Sequence, residues 1–221
     1  MRTTPGVRRT ALPDGVFVAC ARLRDLRRSP VDPADSLDLA GGRGLPEWRV
    51  TERLAARRLL RALVNAVGGT TRPLTVGHRA GGQPYLPGHP TFEVSLAHSG
   101  ALVAAAVHTR GGAVGVDVQV PYPVGETLVR RCCPRGADVL LRQGRPARDQ
   151  AVARIWTAQE SCAKATGQGL GIRPWLIPVD PDQEHGRWRQ LRWQALPEFD
   201  GTPWSCAWEP VDDNAGKGAT P

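Results

Sequence analysis

The chain has 221 residues, enough for one large domain or two small lobes with a real core. Apolar residues make up 41% and charged residues 23%, the balance of a soluble globular protein, and no apolar run approaches the roughly 20 residues of a membrane span. Lys plus Arg number 29 against 21 Asp plus Glu, a net +8 that favours polyanionic partners: nucleic acid, phosphate-rich cofactors or an acidic protein.

The basic start MRTTPGVRRT has no apolar signal core behind it, so no export is expected and the location is read as cytoplasmic. Arg9 and its neighbours are expected to fray. GVFVACARL carries a strand around Val16 and Val18, and the Pro-, Asp- and Gly-rich residues 30–46 read as loop. A helix follows over 47–67, where Ala56, Leu59, Leu60, Leu63, Val64 and Val67 form one stripe. On another face Arg49, Arg53, Arg57 and Arg61 make a basic ridge, either a solvated face or a surface for phosphate or an acidic partner.

Residues 77–90 are turn-rich, and 92–99 and 101–108 read as strands. In AVGVDVQV (113–120) Val114, Val116, Val118 and Val120 face one way, with Asp117 and Gln119 opposite, beside Gly115. A carboxylate on a core-forming strand is costly unless paired or metal-bound, so this strand has either a polar site or a wet face. Residues 125–142 suggest a short helix and then the polar loop RQGRPARDQ. A long helix is expected at about 149–166, ended by Gly167 and barred from continuing by Pro174. WLIPVD, GRWRQLRWQAL and PWSCAWEP read as strands packed by tryptophan, and the last dozen residues as disordered.

Helix-then-strands occurs twice without a βαβ rhythm. The expected fold is therefore α+β: two similar lobes, each a long helix on a mainly antiparallel sheet, over 1–112 and 113–210, with a tail at 211–221. The five cysteines show no zinc spacing and are read as reduced thiols.

Glu160 and Lys164 lie at i, i+4, which suits a surface ion pair as well as one wall of a site. His98 lies at a strand end. Ser99 beside it has no nucleophile elbow, which argues against a serine hydrolase. The glycines at 167, 169 and 171 follow a helix and cannot present a helix N-terminus to phosphate. A nucleic-acid module would need aromatics interleaved on a basic face, and none is seen.

The series GGQPYLP (81–87), VSLAHSG (94–100), VGVDVQ (114–119) and WTAQESCAKATGQGL (156–170) resembles the 4'-phosphopantetheinyl transferase superfamily in its larger, single-chain, pseudo-two-lobed class. LPEWRVTERLAARRLLRAL (45–63) is similar to that family's arginine-bearing first helix. The resemblance implies transfer of phosphopantetheine from coenzyme A to a serine of an acyl or peptidyl carrier protein, with magnesium bridging the pyrophosphate. It implies a metal held by Asp117, Gln119 and Glu160, and coenzyme A contacted by Arg57, Gln83, His98, Asp117, Glu160 and Lys164. Asp117, Glu160 and Lys164 would carry the catalysis. The basic surface suits an acidic carrier, expected to dock at the cleft mouth near residues 125–145, and a two-lobed chain that needs no second subunit is expected to be a monomer.

Several positions depart from the family pattern. Gln119 replaces an acidic ligand, Gln159 and Gln83 replace lysines, and Ala97 replaces a serine. Ala137 stands where some members carry a glutamate proposed as base, with Asp138 or a metal-bound water as substitutes. Two readings stay open: an active transferase, and a homologue that binds coenzyme A or a carrier protein without turnover.

Overall fold

Alternating small and β-branched residues build the first sheet of this computed structural model, which describes residues 6–27, 34–40, 44–68, 74–168 and 171–211. β1 (Val7–Leu12) pairs antiparallel with β2 (Val16–Arg22), β2 with β6 (Leu102–His108), β6 with β5 (Glu93–Ser99), β5 with β4 (Pro84–Tyr85) and β4 with β3 (Gly77–His78). The expected fraying around Arg9 is corrected, because β1 is in register from Val7↔Ala21 to Leu12↔Val16.

The second sheet runs in the order β7 (Val114–Val118), β10 (Thr202–Trp208), β9 (Leu191–Phe199), β8 (His185–Trp188). Three helices, α1 (Leu23–Arg27), α2 (Asp35–Ala40) and α3 (Glu47–Gly68), precede β3, and α4 (Glu126–Cys132), α5 (Ala137–Arg142) and α6 (Arg145–Ala165) separate β7 from β8. The two sheets match: β2-β6-β5-β4 and β7-β10-β9-β8 each consist of a strand, a long helix and three returning strands. The α+β fold with two antiparallel sheets is therefore as expected.

Four layers result. α3 covers one face of the first sheet through Ala56, Leu59, Leu60 and Leu63. α6 covers one face of the second through Val152, Ile155 and Cys162. Between the sheets Val16, Val18, Ala104 and Ala106 meet Val114, Val116, Trp204 and Cys206. All five cysteines are free and buried, and burial pushes the Cys20 and Cys162 thiols up to about 12, which keeps them protonated.

Four local expectations fail for identifiable reasons. Residues 35–40 of the expected loop form α2, whose Asp35 and Asp38 pair with α3. α6 begins at Arg145 because Pro146 stands in its first turn, where a missing N–H costs nothing. WLIPVD is no strand: a 3-10 turn spans Pro174–Leu176, and Pro174 and Pro178 cannot donate to a ladder. Val120 lies beyond β7 and is exposed. The expected disordered tail lies outside the described residues apart from Val211. Among the described residues no helix is long and apolar enough to cross a membrane.

His108 ends β6, fully buried where the two sheets meet. Its Nδ1 accepts from the Arg110 N–H at 3.2 Å, which places the proton on Nε2, and Nε2 donates to the Glu209 carbonyl at 3.0 Å. A second proton would displace the Arg110 bond, and burial holds the imidazole below its usual range. The unfolded chain then binds the extra proton first, so this residue's contribution is intact near pH 7 and is lost as pH falls below about 6.5, by at most about 1.4 kcal/mol per pH unit. Thermal melts from pH 7 to 5 should show the wild type's advantage over His108→Gln shrinking. A constant advantage would contradict the neutral assignment.

Candidate active site

β7 carries the site because its two faces differ. Val114, Val116 and Val118 enter the core between the sheets, leaving Gly115 and Asp117 toward α6. A Cβ on Gly115 would lie 2.0 Å from the Ser161 carbonyl oxygen and 2.6 Å from the Ala165 nitrogen. The α6 backbone thus rests directly on the strand, as glycine alone permits. The Thr157 hydroxyl of α6 and the Ser205 hydroxyl of the neighbouring β10 meet at 2.8 Å and fix the same contact.

This approach sets the chemistry. Lys164 Nζ donates to Asp117 Oδ1 at 2.6 Å and to the Val116 carbonyl at 3.2 Å. Among the described residues Lys164 forms no ion pair with Glu160, so the surface-pair reading of that spacing is corrected. Asp117 is only 7% exposed, and burial pushes its carboxyl up while the Lys164 ammonium opposes the shift. Burial also raises Glu160, helped by the charge of Asp117 and again opposed by Lys164. The charge of Asp117 therefore reaches Glu160, while of the two acids Lys164 is bonded to Asp117 alone.

Glu160 and Lys164 line a cleft of about 560 Å³ with Gly81, Trp156, Arg173 and Trp175. A second hollow of about 190 Å³ shares Gly81 and Lys164 and adds Gly82, Gln83, Ser95 and Gly167. The loop between β3 and β4 thus closes over the end of α6. A Cβ on Gly81 would stand 3.2 Å from the Gly167 carbonyl, and Gly167, the expected helix stop, has φ +67.

That loop is held from behind. His78 Nε2 accepts from Arg57 at 2.8 Å, which leaves Nδ1–H to donate to the Gly82 carbonyl at 3.0 Å. Arg57 also pairs with Asp38 and is 4% exposed. Arg61 spans Asp38 at 2.5 Å and Asp35 at 2.6 Å, and Arg58 reaches Asp35 at 2.6 Å. The ridge is therefore not a solvated face here: for Arg57 and Arg61 the acidic partner is the protein's own α2.

The other expected residues divide. His98 is 53% exposed at its side chain, stands 3.5 Å from Glu52 of α3, and lies near enough to Asp117 to favour its charged form. Gln83 reaches the hollow, its Oε1 3.4 Å from an Arg79 nitrogen. Gln119 donates to the Val120 carbonyl at 2.8 Å and lines a separate small cavity with Tyr122, Val124 and Trp156. Gln159 is fully buried and staples the Cys132 and Ile177 carbonyls at 2.7 and 2.9 Å, so its role is structural. Asp138 is paired with Arg130 at 3.0 Å on the surface.

Sequence reasoning missed Glu52, His78 and Ser95. Ser95 accepts from the Val116 N–H at 3.1 Å on the free edge of β7, and Ser99 accepts from the Val120 N–H at 2.9 Å just beyond the strand's end. The alternation of Ser95, Ala97 and Ser99 on one face was the available signal.

A hard divalent cation wants oxygen ligands and keeps some waters. Asp117 and Glu160 fit that need. Among the described residues no three His, Cys, Asp or Glu side chains gather to hold a metal, so these two acids would depend on ligand and water oxygens for the rest.

The contact at Gly115 is directly testable. Gly115→Ala should cost about 2–3 kcal/mol in urea unfolding, since only backbone could yield. Gly125→Ala, where a Cβ meets open space, should be near neutral. Equal effects of the two would contradict the packing described.

No curated protein matches the chain. Residues 113–213, which begin just before β7 and run through β10, match the family model of the 4'-phosphopantetheinyl transferase superfamily. The match takes in Asp117, Glu160 and Lys164 together, so residues 113–213 form a domain of the 4'-phosphopantetheinyl transferase superfamily.

Proposed function

We propose that the protein is a magnesium-dependent transferase that moves 4'-phosphopantetheine from coenzyme A to a serine of an acidic acyl or peptidyl carrier protein. The observation that carries this reading is the ion pair between Lys164 of α6 and the buried Asp117 of β7, set directly behind a cleft that Lys164 and Glu160 line. In the reaction the serine oxygen bonds to the phosphorus bearing the pantetheine arm, its proton leaves to water, and the bond to adenosine 3',5'-bisphosphate breaks. Such a transfer asks for alignment and charge neutralisation more than covalent help.

Asp117 and Glu160 would hold the metal, with the Gln119 amide oxygen available as a neutral ligand. Bound there, the metal would supply positive charge against the diphosphate. Lys164 would meet a phosphate oxygen, and Gln83 and His98 would face the cofactor from the first lobe, here taken as residues 1–112. Arg57, already committed to Asp38 and His78, would support the loop at Gly81 and Gly82 that forms the cleft's rim. The net charge of +8 suits an acidic carrier and the cofactor's phosphates.

The test mixes the protein, coenzyme A, magnesium chloride and an apo carrier protein, and weighs the carrier. One added phosphopantetheine is expected, with Asp117→Asn and Glu160→Gln slower by about 100-fold or more while still folded. Tight coenzyme A binding with no transfer to several carriers would favour the non-enzymatic homologue instead.

A further inference from the structure

Asp117 cannot be left bare. It is 7% exposed, and a buried carboxylate needs a cation or several donors. Lys164 supplies the cation, through a side chain that is 32% exposed and borders both hollows of the cleft. Its aliphatic stem is long and flexible, so the ammonium can leave Asp117 without any movement of α6.

We infer that Lys164 is a displaceable counter-ion, occupying the Asp117 oxygen until a diphosphate draws the ammonium away, so that divalent metal and diphosphate bind cooperatively. This rests on the reading above. Asp117, Glu160 and Lys164 together carry a formal charge of −1, and the neutral Gln119 adds no third acid. A dication arriving alone would meet that single net charge with an ammonium already 2.6 Å from one of its ligands. A diphosphate changes both terms, giving the ammonium other anionic oxygens and giving the metal further ligands. By linkage each must then tighten the other to the same degree.

The test is calorimetric titration of the full-length protein with magnesium chloride alone, and again with saturating coenzyme A. Wild type should bind magnesium weakly alone and at least about tenfold more tightly with coenzyme A. Lys164→Met keeps the stem and removes the charge. It should bind magnesium alone about tenfold more tightly than wild type, with most of the coenzyme A effect gone. Lys164→Arg keeps a cation and should resemble wild type for the metal alone, and melting curves establish that both variants fold. An unchanged or weaker affinity of Lys164→Met for magnesium alone, with wild type still responding to coenzyme A, overturns the counter-ion and leaves the transferase standing. No magnesium binding by wild type even with coenzyme A overturns both.

Discussion

The site depends on how closely a helix backbone approaches a strand. An ordinary side chain at position 115 would hold α6 off β7 by the width of a methyl group or more, because the space is filled by the Ser161 carbonyl and the Ala165 nitrogen. With glycine there, the last turns of α6 lie against the strand, and Lys164 spans the remaining gap to Asp117. Two residues 47 positions apart thereby become one ion pair. The polar group on the core strand and the glycine beside it are parts of one arrangement.

β7 is also an edge strand, which ordinarily leaves a row of unpaired backbone groups. Here side chains cover that edge at Val116: Ser95 accepts from its N–H and Lys164 donates to its carbonyl, while Ser99 holds the Val120 N–H just past the strand. The same strand therefore joins the sheets and anchors Lys164, which lines the cleft. The first lobe contributes a rim, held by a chain of hydrogen bonds from buried Arg57 through His78 to Gly82. Buried ion pairs such as Arg57–Asp38 and Arg61–Asp35 are poor sources of stability compared with apolar packing. Their value here is positional, since they fix where α3 presents the loop.

Much of this was legible in the residues. Period-two alternation in VGVDV placed the valines and Asp117 on opposite faces as found. The helical stripe of α3 and the stop at Gly167 also follow from spacing. What was not legible required a partner distant in sequence. Spacing pointed Lys164 at Glu160, one turn away, whereas tertiary packing offered the buried and more demanding Asp117. Arginines every four residues left a solvated face and an acid- or phosphate-binding surface equally open, because α2, which neutralises two of them, sits in a stretch with loop composition. Gln159 stood where the family pattern has a lysine, yet it binds two carbonyls in the interior.

The central claim, that Asp117 and Glu160 converge on a cation that grips a diphosphate, is tested most directly by crystals grown with coenzyme A and manganese. Anomalous scattering should place one ion between those two carboxylates, bonded to diphosphate oxygens, with Lys164 turned from Asp117 to a phosphate. An ion bound elsewhere, or a diphosphate lying away from both acids, would contradict the account.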